Sequence, residues 1–461
     1  MKKSILLFGL SMLMTACVEN QETINPVLNV EGGQIQGVKL DTSDVIVYRG
    51  VPYAAPPVGD LRWKRPEPVV AWEGVKLADK FSDGAMQRIR DPKDGQYGTE
   101  FHFRSDDPNY SEDCLYLNVW APSYAPGHAD KKLPVAMWIH GGAYVGGWGF
   151  EMQMDGEAWA KRDVILVTIN YRLGAFGFMS LPELSAEDPD GVSGNYGLLD
   201  QIAALKWVKN NIAQFGGDPE NIMIFGQSAG GASIRNLCAS PLSRNLFAKA
   251  CVQSGGGLGD LIPVNAKPQS EYDEAGKAAL EKVGFHSLAE LRALPADSLY
   301  KATAFLGFGG GISYAPHIDG VILTESFEQA TYNKTLADVP YLLGYTGDDM
   351  GDLSVPILNF AKVREDLSNQ PTYCYLFDRK LPNDGRECLQ GSFHSSELWY
   401  VFHTLSRSWR PFTEADYDLS NRMVDAWTNF AKYSNPNGKT GDAWAPATKA
   451  NPFIHKFVTE E

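Results

Sequence analysis

Four short runs of apolar and β-branched residues are the clearest predicted strands of this chain. They span residues 115–120, 135–139, 164–169 and 222–225, and each is apolar at successive positions rather than at alternate ones. Strands with this composition are buried on both faces, as in a sheet covered by helices on both sides. Between the last two runs, apolar residues recur at helical spacing over residues 197–214, which predicts an amphipathic crossover helix. The pattern predicts an α/β fold with a mostly parallel central sheet flanked by helices.

The chain enters this sheet through a different kind of sequence. Residues 34–39 and 45–48 are strand-like runs broken by Pro and Gly clusters, which predicts a small antiparallel sheet at the N-terminus. No internal repeat or low-complexity linker divides the sequence, so residues 25–461 are predicted to form a single domain. The glycine-rich stretch 307–311 lacks the Lys-Ser/Thr of a phosphate loop and is interpreted as a surface loop.

The N-terminus has the pattern of an export signal. Lys2 and Lys3 precede an apolar run at 5–14 that is too short to span a bilayer, and small residues then lead to Cys17. Residues 1–17 are therefore predicted to be a lipoprotein-type signal peptide, with Cys17 as the lipidated first residue of the mature chain. The alternative is an ordinary signal peptide, in which case the protein is expected to be secreted without an anchor. The protein is expected to be exported and to meet a membrane only through this anchor, at the outer membrane or in the periplasm if the host has two membranes.

The net charge and the cysteine content argue against nucleic-acid binding and against a zinc site. The formal net charge of −15 is spread along the chain, so the surface repels phosphate backbones and no nucleic-acid partner is predicted. Besides Cys17 there are five cysteines, an odd number, so at least one thiol is free even where disulfides are permitted. Cys374 and Cys388 are a candidate pair. The cysteine spacing does not indicate a zinc site, and no metal is predicted.

The clearest chemical signal is a nucleophile motif around Ser228. The apolar run 222–225 is followed by the G-x-S-x-G sequence of residues 226–230 and then by a stretch compatible with a helix. In the α/β-hydrolase fold this strand, tight turn and helix expose a serine hydroxyl at the helix N-terminus, and the glycines allow backbone segments to approach closely. Ser228 is therefore predicted to be a nucleophile.

A second motif supplies hydrogen-bond donors for an oxyanion. The run 135–139 leads into His140-Gly141-Gly142-Ala143, a loop whose small residues allow main-chain N–H groups to approach a substrate. The N–H of Ala229 can complete such a hole. His140 lies within the loop and before the nucleophile, so it is interpreted as a residue that holds the loop's shape.

A serine nucleophile also needs a base and an acid, and in this fold they follow in the order serine, acid, histidine. This order excludes the histidines that precede Ser228. The remaining candidates are His286, His317, His394, His403 and His455. His394 is favoured because it lies in a short loop before a predicted helix, where a side chain can meet one from another element.

Several motifs together resemble the type-B carboxylesterase family, which includes cholinesterases and bacterial p-nitrobenzyl esterases. The resemblance covers nearly the whole predicted mature chain. The matching stretches are YRGVPYA at 48–54, SEDCLYLNV at 111–119, FGGDP at 215–219, the Ser228 turn, QSG at 253–255 and HSSEL at 394–398. The resemblance implies that Gly142, Ala143 and Ala229 form the oxyanion hole, that His394 is the base, and that the acid lies within residues 344–350.

Within that segment the acid is predicted to be Asp349 rather than Asp348. Aligning Gly344 with the family's turn places Asp349 where the family usually has glutamate. Adjacent residues in an extended turn point in opposite directions, so only one of the two carboxylates can face the histidine. Asp348 is expected to be solvated or to brace the loop.

The chain also departs from the family pattern. Gln227 replaces the glutamate that usually precedes the serine, which makes choline esters less suitable substrates. Met86 takes the place of the usual disulfide partner of Cys114, so that disulfide is expected to be absent. The segment between Asp349 and His394 is much shorter than in the family. We expect it to leave one wall of the acyl pocket low enough to admit bulky acyl groups.

These observations predict a carboxylic ester hydrolase that forms an acyl-enzyme at Ser228, with a small-molecule ester as substrate and no cofactor. Two alternatives stay open. A catalytically silent, cholinesterase-like binding protein could have the same fold, and an amidase or lactonase could use the same site. The sequence does not indicate the oligomeric state.

Overall fold

The computed structural model describes residues 25–89, 95–103, 107–259, 268–307, 312–438 and 443–459. The predicted signal peptide and the proposed lipidation site, Cys17, lie outside these residues. So does most of the glycine-rich stretch 307–311. Within the described ranges, no helix combines the length and apolar character needed to cross a bilayer.

Within the described residues, strands β1 to β15 follow one another along the chain. They are β1 Val27–Val30, β2 Gly33–Gln36, β3 Val38–Lys39, β4 Val45–Pro52, β5 Val75–Leu77, β6 Gly84–Ala85, β7 Tyr110–Ser111, β8 Tyr116–Pro122, β9 Leu133–Ile139, β10 Ile165–Ile169, β11 Gly217–Gln227, β12 Lys249–Gln253, β13 Tyr341–Thr346, β14 Thr372–Phe377 and β15 His455–Phe457. The strand-like runs predicted from the sequence correspond to β2 to β4 and to β8 to β11.

Helices α1 to α13 lie between and after these strands within the described residues. They are α1 Gly95–Phe101, α2 Glu157–Ala160, α3 Gly174–Phe178, α4 Pro182–Glu187, α5 Tyr196–Asn211, α6 Ala229–Ala239, α7 Gln269–Lys282, α8 Leu288–Ala293, α9 Ala296–Thr303, α10 Phe327–Asn333, α11 Ser354–Leu367, α12 Leu398–Val401 and α13 Glu414–Tyr433.

One large sheet organises the described chain. Its ten strands lie in the order β15-β14-β13-β12-β11-β9-β10-β8-β4-β3. Neighbours from β15 to β10 pair in parallel, whereas β8 pairs antiparallel with β10 and β4, and β4 pairs antiparallel with β3. This confirms the predicted α/β-hydrolase architecture with a mostly parallel central sheet.

The central strands bury both faces, as their continuous apolar sequences predict. Along β9, Met137 and Ile139 belong to one hydrophobic core and Trp138 belongs to a second. On β11, Ile224 and Phe225 divide between the same two cores. Alternate side chains therefore pack on opposite sides of the sheet, and the helices on each side complete a separate core.

The small N-terminal sheet matches its prediction only in part. β1 and β2 pair antiparallel, with Leu28 opposite Ile35, but β5 joins β2 in parallel. The sheet is therefore mixed. Parallel strands need a long connection, and the connection between β2 and β5 contains β3 and β4.

The predicted crossover helix is also corrected in one respect. It is α5, followed by a 3₁₀ turn over Ile212–Phe215, but its polar residues Asp200 and Gln201 are buried rather than solvated. Asp200 accepts two hydrogen bonds from the side chain of Arg172, and Gln201 donates to Ser233. The helix therefore exposes only a narrow stripe, which includes Lys206 and Asn210, and buries the rest of its surface.

The described cysteines form no disulfide. Cys114, Cys238, Cys251, Cys374 and Cys388 are all free and buried. Cys114 packs in the same core as Met86, in agreement with the expectation that it lacks a disulfide partner. The candidate pairing of Cys374 with Cys388 is contradicted: β14 carries Cys374, while Cys388 lies in a separate loop near Arg410.

We therefore predict that the chain without its leader, residues 18–461, has five titratable thiols after denaturation in the absence of reductant. Reaction of the denatured protein with a chromogenic disulfide reagent measures this number, and a sample reduced beforehand is the control. Three thiols before reduction and five after it would show that one pair is oxidised in the folded protein.

Candidate active site

Ser228 lies in a strained turn between β11 and α6. Its backbone has φ 58° and ψ −124°, and α6 begins at the next residue. A Cβ on Gly230 would lie 2.1 Å from the carbonyl oxygen of Ile139, so only glycine fits there. The turn thus lifts a partly exposed serine to the N-terminus of a helix. This is the strand, turn and helix arrangement that the sequence predicts.

The loop after β9 lies against this turn. Gly142 has φ 102°, and a Cβ on it would lie 2.0 Å from the carbonyl oxygen of Gly146. Ala143 follows in the left-handed region with φ 55°. No described residue accepts a hydrogen bond from the N–H of Gly142, Ala143 or Ala229. These are the three N–H groups that the sequence analysis assigns to an oxyanion hole.

His140 sits at the start of the same loop. Its Nδ1 lies 2.8 Å from the carbonyl oxygen of Gly141, and its ring stacks on Tyr171 with centroids 4.4 Å apart. The hydroxyl of Tyr171 donates to the backbone carbonyl of His140 at 2.9 Å. These contacts agree with the interpretation that His140 holds the loop's shape.

Asp349 and His394 meet at the carboxyl edge of the sheet. Asp349 follows β13 and His394 precedes α12, yet Oδ1 of Asp349 lies 2.6 Å from Nδ1 of His394. The second carboxylate oxygen, Oδ2, accepts hydrogen bonds from the hydroxyl of Ser254 at 2.7 Å and from both the N–H and the hydroxyl of Thr346. The carboxylate is thereby held in one orientation toward the imidazole.

These contacts set the charge of Asp349. Burial by itself would raise the pKa of this carboxyl, but the hydrogen bond and the charge of His394, together with the hydrogen bonds from Ser254 and Thr346, outweigh burial and lower the pKa to about 2. Its side chain is only 1% exposed. A buried carboxylate that stays ionised can only accept hydrogen bonds, so the proton of this pair resides on Nδ1 of His394.

Asp348 has a different role. Its Oδ2 accepts hydrogen bonds from the N–H of Ser392 at 2.9 Å and from the Ser392 hydroxyl at 3.2 Å. A β-bridge joins Asp348 to Phe393. Asp348 therefore braces the loop that carries His394 and does not contact the imidazole.

The other candidate histidines lie in separate surroundings. His286 is exposed, Nε2 of His317 contacts Gln269, and Nδ1 of His403 contacts Ser420. His455 is on β15 and stacks on Trp444. Of the five histidines that the sequence left open, only His394 is recorded in contact with Asp349.

Known proteins include clear relatives of this chain. The model of the carboxylesterase family matches residues 24–355 and 352–461. The chain is 32% identical to the para-nitrobenzyl esterase of Bacillus subtilis (strain 168), covering 94% of this chain and 96% of the relative. It is also 32% identical to the fumonisin B1 esterase of Sphingopyxis macrogoltabida, covering 93% and 86%. A solved thermophilic p-nitrobenzyl esterase superposes with a TM-score of 0.79 at 30% identity, covering 95% of this chain and 96% of the other.

The chain belongs to the carboxylesterase family. The resemblance inferred from the sequence motifs is thus confirmed, as is the prediction that the protein is an enzyme that hydrolyses carboxylic esters.

A cavity of about 280 Å³ in this carboxylesterase adjoins the loop after β9 that contains Gly142 and Ala143, which we call the oxyanion loop. Its wall includes Val145 and Gly146 from that loop and Tyr97 from α1. Tyr97 also donates a hydrogen bond from its hydroxyl to the backbone carbonyl of His394 at 3.2 Å, so one residue links the cavity wall to the histidine. Among the described residues, none between 350 and 393 lines this cavity.

Sequence reasoning did not assign roles to Ser254, Thr346 or Glu397. Ser254 lies within the QSG motif and Glu397 within HSSEL, so the motifs marked both positions without showing what their side chains contact. Glu397 is fully buried, and burial, followed by the negative charge of Asp349, raises the pKa of its carboxyl to about 7. Thr346 carries no motif signal.

We predict that Asp349→Asn lowers esterase activity by up to ~10⁴-fold, the cost of the equivalent change in a related triad, because it removes the charge that supports the imidazolium. The measurement is kcat/KM on p-nitrophenyl acetate. Asp348→Asn is the matched control: its amide oxygen can still accept the Ser392 N–H, so its loss should be much smaller. If Asp348→Asn caused the greater loss, the assignment of the acid would have to be exchanged.

Proposed function

We propose that this carboxylesterase hydrolyses esters by two-step acyl transfer through a triad of Ser228, His394 and Asp349. The observation that carries the proposal is the 2.6 Å contact between Asp349 and Nδ1 of His394 at the edge of the sheet where the Ser228 turn lies. An ionised, buried carboxylate on Nδ1 keeps the Nδ1 proton in place, so the lone pair of the neutral imidazole lies on Nε2, where a base needs it.

In the first step, Oγ of Ser228 attacks the ester carbonyl while His394 takes the hydroxyl proton on Nε2. The carbonyl oxygen becomes negative and accepts hydrogen bonds from the N–H groups of Gly142, Ala143 and Ala229. These N–H groups are suited to the task because they are fixed in place and have no described partner. Collapse of the intermediate breaks the ester bond, and His394 returns the proton to the leaving alcohol.

In the second step, water attacks the acyl-enzyme. His394 takes a proton from the water, the same N–H groups stabilise the second oxyanion, and Oγ of Ser228 leaves with the proton from His394. The products are a carboxylic acid and a free serine. Each proton and each bond is accounted for by these groups, so the chemistry needs no cofactor.

The substrate is proposed to be a small-molecule ester. The relatives named above include esterases of fumonisin B1 and of para-nitrobenzyl esters, so the family accepts varied ester partners. In this chain the described wall of the cavity consists of residues 86–88, 97–98, 145–146, 174–176, 300, 303–304 and 314. The segment between Asp349 and His394 adds nothing to it among the described residues. Bulky acyl groups should therefore fit beside the oxyanion loop.

We predict that Ser228→Ala lowers turnover of p-nitrophenyl acetate by more than ~10³-fold, since the nucleophile of a triad is removed. The fold should survive, because the hydroxyl is partly exposed and contributes little to the core. The matched control is Ser123→Ala, which changes a serine at the opposite edge of the sheet, directly after β8. Retention of most of the turnover by folded Ser228→Ala would contradict the mechanism, and inactivity of the unaltered protein would favour a silent binding protein.

The proposal also concerns where the enzyme acts. The leader pattern of residues 1–17 supports export and a lipid anchor at Cys17, followed by Val18. Because residue 18 is not aspartate, an outer-membrane destination is favoured in a host with two membranes.

We predict that the mature protein isolated from the membrane fraction begins at a diacylated Cys17. Intact-mass measurement of the protein before and after alkaline release of ester-linked acyl chains tests this, and Cys17→Ser is the control that should remove the modification. An unmodified N-terminus downstream of residue 17 would contradict the anchor.

A further inference from the structure

The side chain of Gln227 occupies the nitrogen of His394 that the proposed mechanism uses. Nε2 of the Gln227 amide lies 3.2 Å from Nε2 of His394, and Gln227 is 2% exposed. Ser228 and His394 are both within the described chain, yet no hydrogen bond joins the Ser228 hydroxyl to Nε2. In the free enzyme, therefore, the base is in contact with the residue before the nucleophile.

Hydrogen-bond accounting fixes the protonation state that this contact allows. Asp349 is ionised and can only accept, so Nδ1 of His394 carries a proton. An amide nitrogen can only donate. The contact is therefore a hydrogen bond only when Nε2 of His394 has its lone pair available, which is the neutral imidazole with its proton on Nδ1. An imidazolium would place two donors face to face.

Resting on the triad proposed above, we propose that Gln227 is a positioning residue for His394. Its amide donates to Nε2, holds the imidazole in the neutral tautomer that a general base requires, and opposes protonation of the free enzyme. When an ester binds, Nε2 has to exchange the Gln227 amide for the hydroxyl of Ser228. The contact is therefore made only by the neutral form of His394, which is the form that can act as a base.

The groups around His394 differ in whether they favour its charged or its neutral form. Asp349 faces Nδ1 from the end of β13, and Glu397 is buried close by at the start of α12. Tyr97 reaches the backbone carbonyl of His394 from α1. Negative charge on either carboxyl favours the imidazolium. Gln227, by contrast, adds no charge and donates a hydrogen bond to Nε2. It therefore disfavours the imidazolium.

Glutamate in place of Gln227 would have the same length but would end in a carboxylate. A carboxylate there would accept a hydrogen bond from a protonated Nε2 and would stabilise the imidazolium by its charge. The substitution of Gln for Glu therefore reverses the polarity of the contact while keeping the length of the side chain. A change of polarity at constant shape can be tested by a single substitution.

The test is the pH dependence of kcat/KM, which reports ionisations of the free enzyme. The unaltered protein is compared with Gln227→Glu, Gln227→Met and Gln214→Glu, using p-nitrophenyl acetate. We expect the midpoint of the acid limb to rise by about one pH unit or more in Gln227→Glu, since an opposite charge within ~4–6 Å moves a pKa by ~1–3 units. Gln227→Met removes the donor without adding charge, so its midpoint should rise by less.

Gln214→Glu is the matched control. Gln214 is exposed and lies in the 3₁₀ turn after α5, so this variant adds the same charge to the protein away from the site. Its acid limb should coincide with that of the unaltered protein. A comparable shift in Gln214→Glu would show that the net charge of the protein, and not the contact with Nε2, determines the midpoint of the acid limb. That result would overturn the proposal.

Failure of this proposal can be told apart from failure of the triad. If Gln227→Glu and Gln227→Met both keep the acid limb of the unaltered protein while Ser228→Ala is inactive, the triad stands and the role of Gln227 is wrong. If folded Ser228→Ala keeps its turnover, both proposals fail. Should Gln227→Glu fold poorly, Gln227→Met decides alone, and an unchanged limb in that variant contradicts the proposal.

Discussion

The site depends on one strained turn, at Ser228. A non-glycine residue with φ 58° and ψ −124° occupies a sparsely populated backbone region that costs about 1–3 kcal/mol, and the surrounding structure has to compensate. Close packing of Gly230 against the Ile139 carbonyl helps to hold it, as does the hydrogen bond from the Ser228 N–H to Gln253. Without that packing the turn would relax, and the serine would leave the oxyanion loop and the histidine.

The register of the central sheet brings the remaining groups to this turn. Gly226 on β11 pairs with Ile139, the last residue before the oxyanion loop, and Gln227 pairs with Gln253 on β12. The next pairing joins Gln253 to Gly344 on β13. Because these strands are parallel, the segments after their carboxyl ends meet at one edge, although they are far apart in sequence. This explains how residues as distant as Ala143 and Asp349 can serve one site.

Features of the site that are set by residues adjacent in sequence could be predicted, whereas features that depend on contacts between distant segments could not. The Ser228 turn and the oxyanion loop are set by adjacent glycines, so the sequence predicted both. His394 and Asp349 were selected by chain order, loop position and family motifs, and the structure places them in contact. The contact between Gln227 and His394 and the burial of α5's polar residues depend on side-chain packing between distant segments, which one sequence does not reveal.

Labelling with an alkyl fluorophosphonate is the sharpest test of Ser228 as the nucleophile, because the reagent forms a covalent bond with an activated serine and traps an analogue of the tetrahedral intermediate. We expect one phosphonyl group per chain, located by peptide mapping on Ser228, and labelling that is lost in Ser228→Ala and strongly slowed in Asp349→Asn. A stoichiometric adduct on any other residue, or unchanged labelling of Ser228→Ala, would rule out Ser228 as the nucleophile.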